Sequence, residues 1–429
     1  MRLYHAYKRQ FSYILVGLLL VIPMVFSYAQ TADDLNIKIN QKNTDITQLE
    51  QEIKQYQNEL DNLGKQKNSL SGSIKQLDIT RKKLEADILL TQKKIEKTNL
   101  KIQSLGSQIN IKENSISNNT GAIKSGIKNI NEFELESTLE TILSNGTFTS
   151  AWNDIDNIIS IREKIREQII ELKQIKGELE DTRKETVDAK NELLALKKEL
   201  ADQKKIVEQN TVEKKKLLAQ TKNSETSYQK LLKERLAKKE AFEKELRDYE
   251  SQLKFILDPS LLPAKGVLSW PLDNVYVTQL FGVTSASTRL YASGSHSGVD
   301  FRASVGTQVM AVADGIVLGT GDTDLTCPYA SFGKFIFIKH NNGLSTTYGH
   351  LSLVGVSVGD KVKRGDIIGY SGNTGHTTGP HLHLTVYASA SARMETVPSK
   401  SCEGHSYTMP IAATNAYLDP MYYLPLYKK

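Results

Sequence analysis

The sequence predicts a multidomain chain in which a long antiparallel α-helical coiled-coil hairpin precedes a mostly antiparallel β domain. Three observations carry that expectation. Apolar residues recur in alternating steps of three and four through two long stretches, the seam of helices packed side by side. Past residue 258 the pattern changes to short alternating runs between Gly, Asp, Asn and Pro turn signals, which reads as strands. Composition shifts as well: both Trp, most Gly and most Pro lie beyond residue 140, whereas Lys, Gln, Asn, Ile and Leu dominate the earlier part.

The first 29 residues read as a segment apart. Arg2, Lys8 and Arg9 precede an apolar run from Tyr13 to Phe26, and Ser27 and Ala29 stand where a small-residue cleavage site belongs. A charged start, an apolar run of roughly 7–15 residues and a small-residue exit describe a secretory signal. A retained membrane anchor is the alternative, although the run is short of the roughly 20 residues that a span prefers. Either way the rest of the chain is expected to be exported, to the periplasm or the extracellular cell envelope. In such an oxidising compartment the two cysteines, Cys327 and Cys402, are candidates for a disulfide. They lack the CxxC spacing of a zinc ribbon or redox motif.

Residues 30–257 carry the helical pattern. Its first arm runs through Ile46, Leu49, Ile53, Tyr56, Leu60 and Leu63, then Leu70, Ile74, Leu77, Leu84 and on to Ile109. The second arm starts at Ile158 and continues through Leu179, Leu193, Leu217 and Tyr228 to Phe242, Leu246, Tyr249 and Leu253. Pro259 is expected to end it, because proline cannot continue a helix. The connector, a tip at about residues 115–157, opens with "SISNNTGAIKSGIKNI", whose Ser, Asn and Gly predict a break in the register. Leu139, Ile142, Leu143, Phe148 and Trp152 then make the tip apolar. Those residues either cap the hairpin or form a docking site for a partner, with Phe148 and Trp152 as its candidates.

Residues 258–429 carry the chemistry-bearing side chains. Seven of the eight histidines lie there, and "HSGVD", "TYGHL" and "GPHLHLTV" supply His296, His350, His381 and His383 together with Asp300. A strand sends alternate side chains to one face, so His381 and His383 are expected to point the same way. The chain has no HExxH, which excludes the helix-borne zinc peptidase pattern. Residues from separate strands must converge instead. Two imidazoles and a carboxylate are a ligand set for catalytic zinc, and the remaining imidazoles would be free for proton transfer. His340, before the turn "NNG", reads as a strand-end surface residue, and His376 as a residue that could line a groove. A formal charge of +6 without a clustered basic patch argues against nucleic acid as a partner.

At these residues the chain resembles the LytM/lysostaphin-type zinc endopeptidases of bacterial cell walls. The likeness runs from about Trp270 to Tyr387 and rests on "QLFG", "HSGVDFRASVGTQVMAVADGIV", "YGHL", "GDKVKRGDIIGYSGNTG" and "TGPHLH". It implies one Zn2+ held by His296, Asp300 and His383, with His350 and His381 as the catalytic pair and His381 the proton acceptor. It also implies peptidoglycan as substrate. Leu384 and Thr385 depart from the residues that many relatives carry there, and no metal role attaches to them. The insertions around residues 283–295 and 322–332 are expected to wall the substrate groove.

The coiled coil followed by this domain resembles envelope cell-division factors of the EnvC and PcsB type. That resemblance implies a helical arm that restrains the catalytic domain and meets an FtsEX-like membrane complex. Some members of that group activate amidases without being enzymes. The alternative to a peptidoglycan endopeptidase is therefore a non-catalytic activator, and the presence of all five motif residues favours the enzyme.

Overall fold

The structure, a computed structural model, describes residues 32–63, 69–135, 148–253, 255–284, 295–329, 331–377, 379–399 and 402–427. The expected signal segment, tip residues Leu139, Ile142 and Leu143, and most of the insertion at 283–295 lie outside the described residues. Four long helices come first: α1 (Ala32–Leu63), α2 (Leu70–Leu135), α3 (Phe148–Thr221) and α4 (Glu225–Glu250). None of the described helices is long and apolar enough to cross a membrane.

The helices differ from expectation in two places. Helix α2 runs without a break through residues 115–130, because each residue added to an existing helix gains a hydrogen bond and Gly costs only about 1 kcal/mol. Gly126 there admits close packing: a Cβ on it would stand 2.8 Å from Ile165 Cδ1. The second arm does not run to Pro259 either. Lys222 and Asn223 take left-handed φ values of 49° and 56° and interrupt it. Ser224 then caps α4 by accepting from the Ser227 N–H, and α4 stops at Glu250. Pro259 instead opens a short 3-10 turn, Pro259–Leu261.

The chain divides into two compact units. In the first, which takes in the described residues of Met1–Asn43 together with Lys97–Asn191, α2 and α3 pair antiparallel. Lys101 meets Glu185 at 2.9 Å and Arg183 meets Glu113 at 2.7 Å, around buried Leu105 and Leu179. Exposed pairs of this kind contribute little stability, so the buried seam holds the arms together. In the second unit, Thr44–Glu96 with Glu192–Lys429, the pairing continues through Leu84 against Ile206 and Leu70 against Leu217 and Tyr228. Lys214 Nζ reaches Asp78 Oδ1 at 2.6 Å.

The β domain belongs wholly to the second unit. Its early strands are β1 (Val277–Gln279), β2 (Gly282–Val283), β3 (Ser295–His296), β4 (Val299–Arg302), β5 (Gln308–Met310) and β6 (Gly315–Asp322). Then follow β7 (Lys334–His340), β8 (Leu344–Val354), β9 (Lys361–Val362), β10 (Ile367–Ser371) and β11 (His381–Ala388). Strands β12 (Arg393–Pro398), β13 (Ser406–Ile411) and β14 (Tyr417–Leu418) and a last turn of helix, α5 (Pro420–Tyr423), close the chain. The main sheet has the order β1-β4-β11-β8-β7-β6-β9, every pairing antiparallel. Strand β14 extends the edge of β11 beyond the point where β4 stops.

Strand alternation gives this sheet two different faces. Val299, Phe301, Ile336, Ile338, Tyr348, Leu382, Leu384 and Val386 bury themselves in the main core. The other face of β11 carries His381, His383, Thr385 and Tyr387. Over it lies a second apolar layer that includes Phe332, Phe335, Tyr407, Met409 and Ile411. Phe242, Leu246, Tyr249 and Leu253 pack into that layer. This stripe, which continues the coiled-coil spacing in sequence, therefore docks on the β domain rather than on another helix. Burying a side chain such as Phe242, 1% exposed, favours the docked state by about 1.5–3 kcal/mol. A disulfide joins Cys327 to Cys402 at the same layer, with Cα atoms 5.8 Å apart.

Candidate metal centre and catalytic cleft

Four strands deliver the site. His296 ends β3, and the turn Ser297–Gly298 leads at once into β4 and Asp300. Gly298 is needed there: a Cβ would lie 2.4 Å from the Leu384 carbonyl oxygen and 2.8 Å from the His383 ring. Register then sets Asp300 opposite His383 across β4 and β11. The result is a tight cluster. Asp300 Oδ1 lies 2.8 Å from His383 Nδ1 and 3.2 Å from His296 Nε2, and those two nitrogens are 3.1 Å apart.

His350 arrives by a different device. Plain alternation would send it into the main core with Tyr348. Between Lys334 and Ile336 of β7, however, β8 advances from Leu351 to Tyr348, one residue more than its partner. The bulge turns His350 to the face of β11 that holds the cluster. Its φ of +61° is left-handed, a conformation costly for a residue with a Cβ, and its N–H donates to the Phe332 carbonyl at 2.7 Å. The His350 and His381 rings stand 4.6 Å apart, and His350 is 5.7 Å from His383.

The imidazoles are oriented by their other nitrogens. His296 Nδ1–H donates to the Leu280 carbonyl at 3.0 Å, His350 Nδ1–H to Thr374 at 2.9 Å and His381 Nδ1–H to Gly379 at 2.8 Å. A carbonyl can only accept, so Nδ1 carries the hydrogen and each ring turns its Nε2 toward the cluster. His383 does the reverse: its Nε2 pairs with Thr385 Oγ1 at 2.8 Å and its Nδ1 faces Asp300. Thr385, set aside on sequence grounds, thus touches the cluster. Its signal was its place on the same face, two residues past His383.

Electrostatics follow burial. Burial alone would raise the Asp300 carboxyl, but the charge of His381 and hydrogen bonds from His296 and His383 outweigh it and hold it well below the usual range. Burial lowers His383, and Asp300 opposes that only in part. Burial, with His381 and His383 beside it, pushes His350 well below the ordinary histidine value. His350 is therefore a neutral imidazole with an accepting Nε2.

The donor set fits a metal ion. His296, Asp300 and His383 each offer one ligand atom, all within 4.8 Å of one another. Ligands about 2.0–2.1 Å from a tetrahedral ion stand roughly 3.3 Å apart, close to the separations here. The structure thus brings all five motif residues to one place.

A cavity of about 270 Å³ opens over the cluster, lined by His296, His350, His383, His376, Ser331 and Phe332. His376 therefore lines the groove, and of the 322–332 insertion Ser331 and Phe332 do so. Glu243, Leu246, Arg247 and Glu250 of α4 line it too. His340 corrects its sequence reading. It is 3% exposed, bonded to the Asp314 carbonyl and Thr346 Oγ1, and burial pushes it down to about 4. A strand end is not a surface when residues in and beside the neighbouring strands bond its ring on both sides.

An antiparallel β domain with a buried His-Asp-His cluster and two more imidazoles beside it, open to a cleft, has the architecture of a metallopeptidase. Residues 294–394 match the family model for Peptidase family M23, and the chain carries an M23 domain of the LytM type. The chain is 48% identical over 88 residues to the peptidoglycan DD-endopeptidase ShyA of Vibrio cholerae, covering 20% of this chain and 19% of that protein. It is 47% identical over 92 residues to the glycyl-glycine endopeptidase ALE-1 of Staphylococcus capitis, covering 21% and 24%. Among solved structures, the catalytic domain of lysostaphin from Staphylococcus simulans is 30% identical, with a TM-score of 0.25 over 35% of this chain and 91% of that one. The chain spans about a fifth to a quarter of the length of these curated relatives.

Proposed function

We propose that this protein is a zinc-dependent peptidoglycan endopeptidase of the cell envelope that cuts stem or cross-link peptides and is restrained by its own helical arm. The convergence of His296, Asp300, His383, His350 and His381 on one cleft carries the reading. Zinc held by His296, Asp300 and His383 would make a water acidic and polarise a scissile carbonyl. His350, neutral and fixed by Thr374, accepts a hydrogen bond from the attacking water and orients it. His381 Nε2 takes the water's proton and returns it to the departing amine nitrogen. Asp300, ionised among the histidines, keeps their rings in register.

Restraint is supported by α4, whose Phe242 stripe docks it where Glu243 and Arg247 line the cleft. Export, and recruitment to an FtsEX-like complex through Phe148 and Trp152, rest on the resemblances of sequence. Trp152 is 54% exposed on the first turns of α3.

Release of soluble muropeptides from purified peptidoglycan tests the function. With zinc in excess, the full mature chain should release them in a chelator-sensitive way, and Phe242→Asp, which unseats α4, should release more. No release by either, across peptidoglycans of several cross-link types, would move the reading to a non-catalytic activator of amidases.

A further inference from the structure

His383 is one end of a polar thread that crosses an otherwise apolar layer. Phe335, Phe337, Ala388, Ala412 and Ala416 surround it, yet the same face of β11 continues from His383 to Thr385 and Tyr387. Thr385 Oγ1 meets His383 Nε2 at 2.8 Å. Tyr387 follows two residues on along β11, on the same face and fully buried. The Tyr387 and Tyr417 rings pack edge to face at 4.9 Å on paired strands β11 and β14. Tyr417 Oη then donates to Glu250 Oε1 at 2.5 Å. Glu250 is the last residue of α4.

Chemistry gives the thread one direction. A carboxylate only accepts, so Tyr417 donates to Glu250. With Nδ1 of His383 turned to the cluster as a ligand, its Nε2 carries the hydrogen and donates to Thr385. Each hydroxyl between can both accept and donate, so a closed thread would have a single order from imidazole to carboxylate. Tyr387 Oη and Thr347 Oγ1 are fully buried and fall short of ordinary hydrogen-bond geometry. A buried hydroxyl without a partner is costly, so a small shift of these side chains that closes the thread is favoured.

We infer that Thr385, Tyr387, Tyr417 and Glu250 are positioning residues for His383, and that the seating of α4 tightens the hold of the cluster on its metal. The inference rests on the metal-centre reading above and goes beyond it. A carboxylate behind a ligating histidine fixes the ring and raises its basicity. Here that carboxylate belongs to the helical arm and acts through three hydroxyls. The arm that walls the cleft therefore also keeps it loaded, so that a restrained chain retains its metal.

The test is the zinc dissociation constant of the full chain, measured by competition with a chromophoric chelator in mildly alkaline buffer. Thr385→Val should weaken zinc about 10–100-fold, the range for partners of ligating histidines, and Thr385→Ser should restore it. Tyr417→Phe and Glu250→Gln should each weaken zinc several-fold, and neither should add its full effect to Thr385→Val. Near-ultraviolet circular dichroism keeps misfolded variants apart. Folded Tyr417→Phe and Glu250→Gln chains that bind zinc as tightly as the wild type would overturn the thread. A wild-type chain that binds no zinc would instead overturn the metal-centre reading.

Discussion

Glu250 supplies the most quantitative prediction. It is 7% exposed at the end of α4, and burial, opposed by the Tyr417 hydroxyl, the Ala412 N–H and Arg247, pushes its carboxyl from 4.5 up to about 7. The folded value lies above the unfolded one, so the neutral acid favours the folded, α4-docked chain. That contribution is complete below 4.5 and is lost as pH rises to about 7. The shift corresponds to about 3 kcal/mol. Glu250→Gln keeps the shape and removes the titration. Urea unfolding of both chains across that window should show the wild type losing about 3 kcal/mol relative to the variant as pH rises, then levelling. His340 and Asp300 titrate identically in both and cancel. A difference between the chains that stays flat from 4.5 to 7 would refute the burial argument for Glu250.

Other outcomes follow from the same geometry. His383→Ala should lose bound zinc together with activity, whereas His381→Ala should keep most of the metal and lose turnover; metal analysis of the two proteins decides, and equal zinc loss would end the division of roles. Gly298→Ala forces a Cβ to 2.8 Å from the His383 ring, so zinc stoichiometry should fall sharply in a chain that still folds. Replacing Cys327 and Cys402 by Ser opens a link between residues 75 apart and should cost about 4–5 kcal/mol by chain entropy, read from denaturant midpoints with and without reductant. Trp152→Ala should impair recruitment to the division site and leave muropeptide release by the purified chain unchanged; fluorescence localisation checks it.

Much of the architecture was legible because it depends on period. Spacing of three and four marks a helical seam wherever it occurs, and Leu70, Leu84, Leu105, Leu179 and Leu217 are buried in it. Spacing of two placed His381 and His383 on one face of a strand. The motif residues could be named because each stands in a short, specific context, and the cysteine pair because the export expected from the sequence would make a bridge favourable.

What periodicity leaves open is the partner of each stripe. Phe242, Leu246, Tyr249 and Leu253 keep helical spacing whether they meet a helix or a sheet, and only the folded chain shows them against Tyr407 and Met409. Local propensity likewise misjudged residues 115–130, since a continuing helix and close packing at Gly126 outweigh a few weak helix formers. His350 is the sharpest case. By alternation it belongs in the core, and one extra residue in β8, set by pairing with β7, turns it into the cleft. Thr385 is a similar case, because the pairing of β11 with β14 sets Tyr387 beside Tyr417, and α4 brings Glu250 to the end of that row. Sequence by itself determined which residues could do the chemistry; pairing register and helix docking, which are long-range, decided where they meet and what covers them.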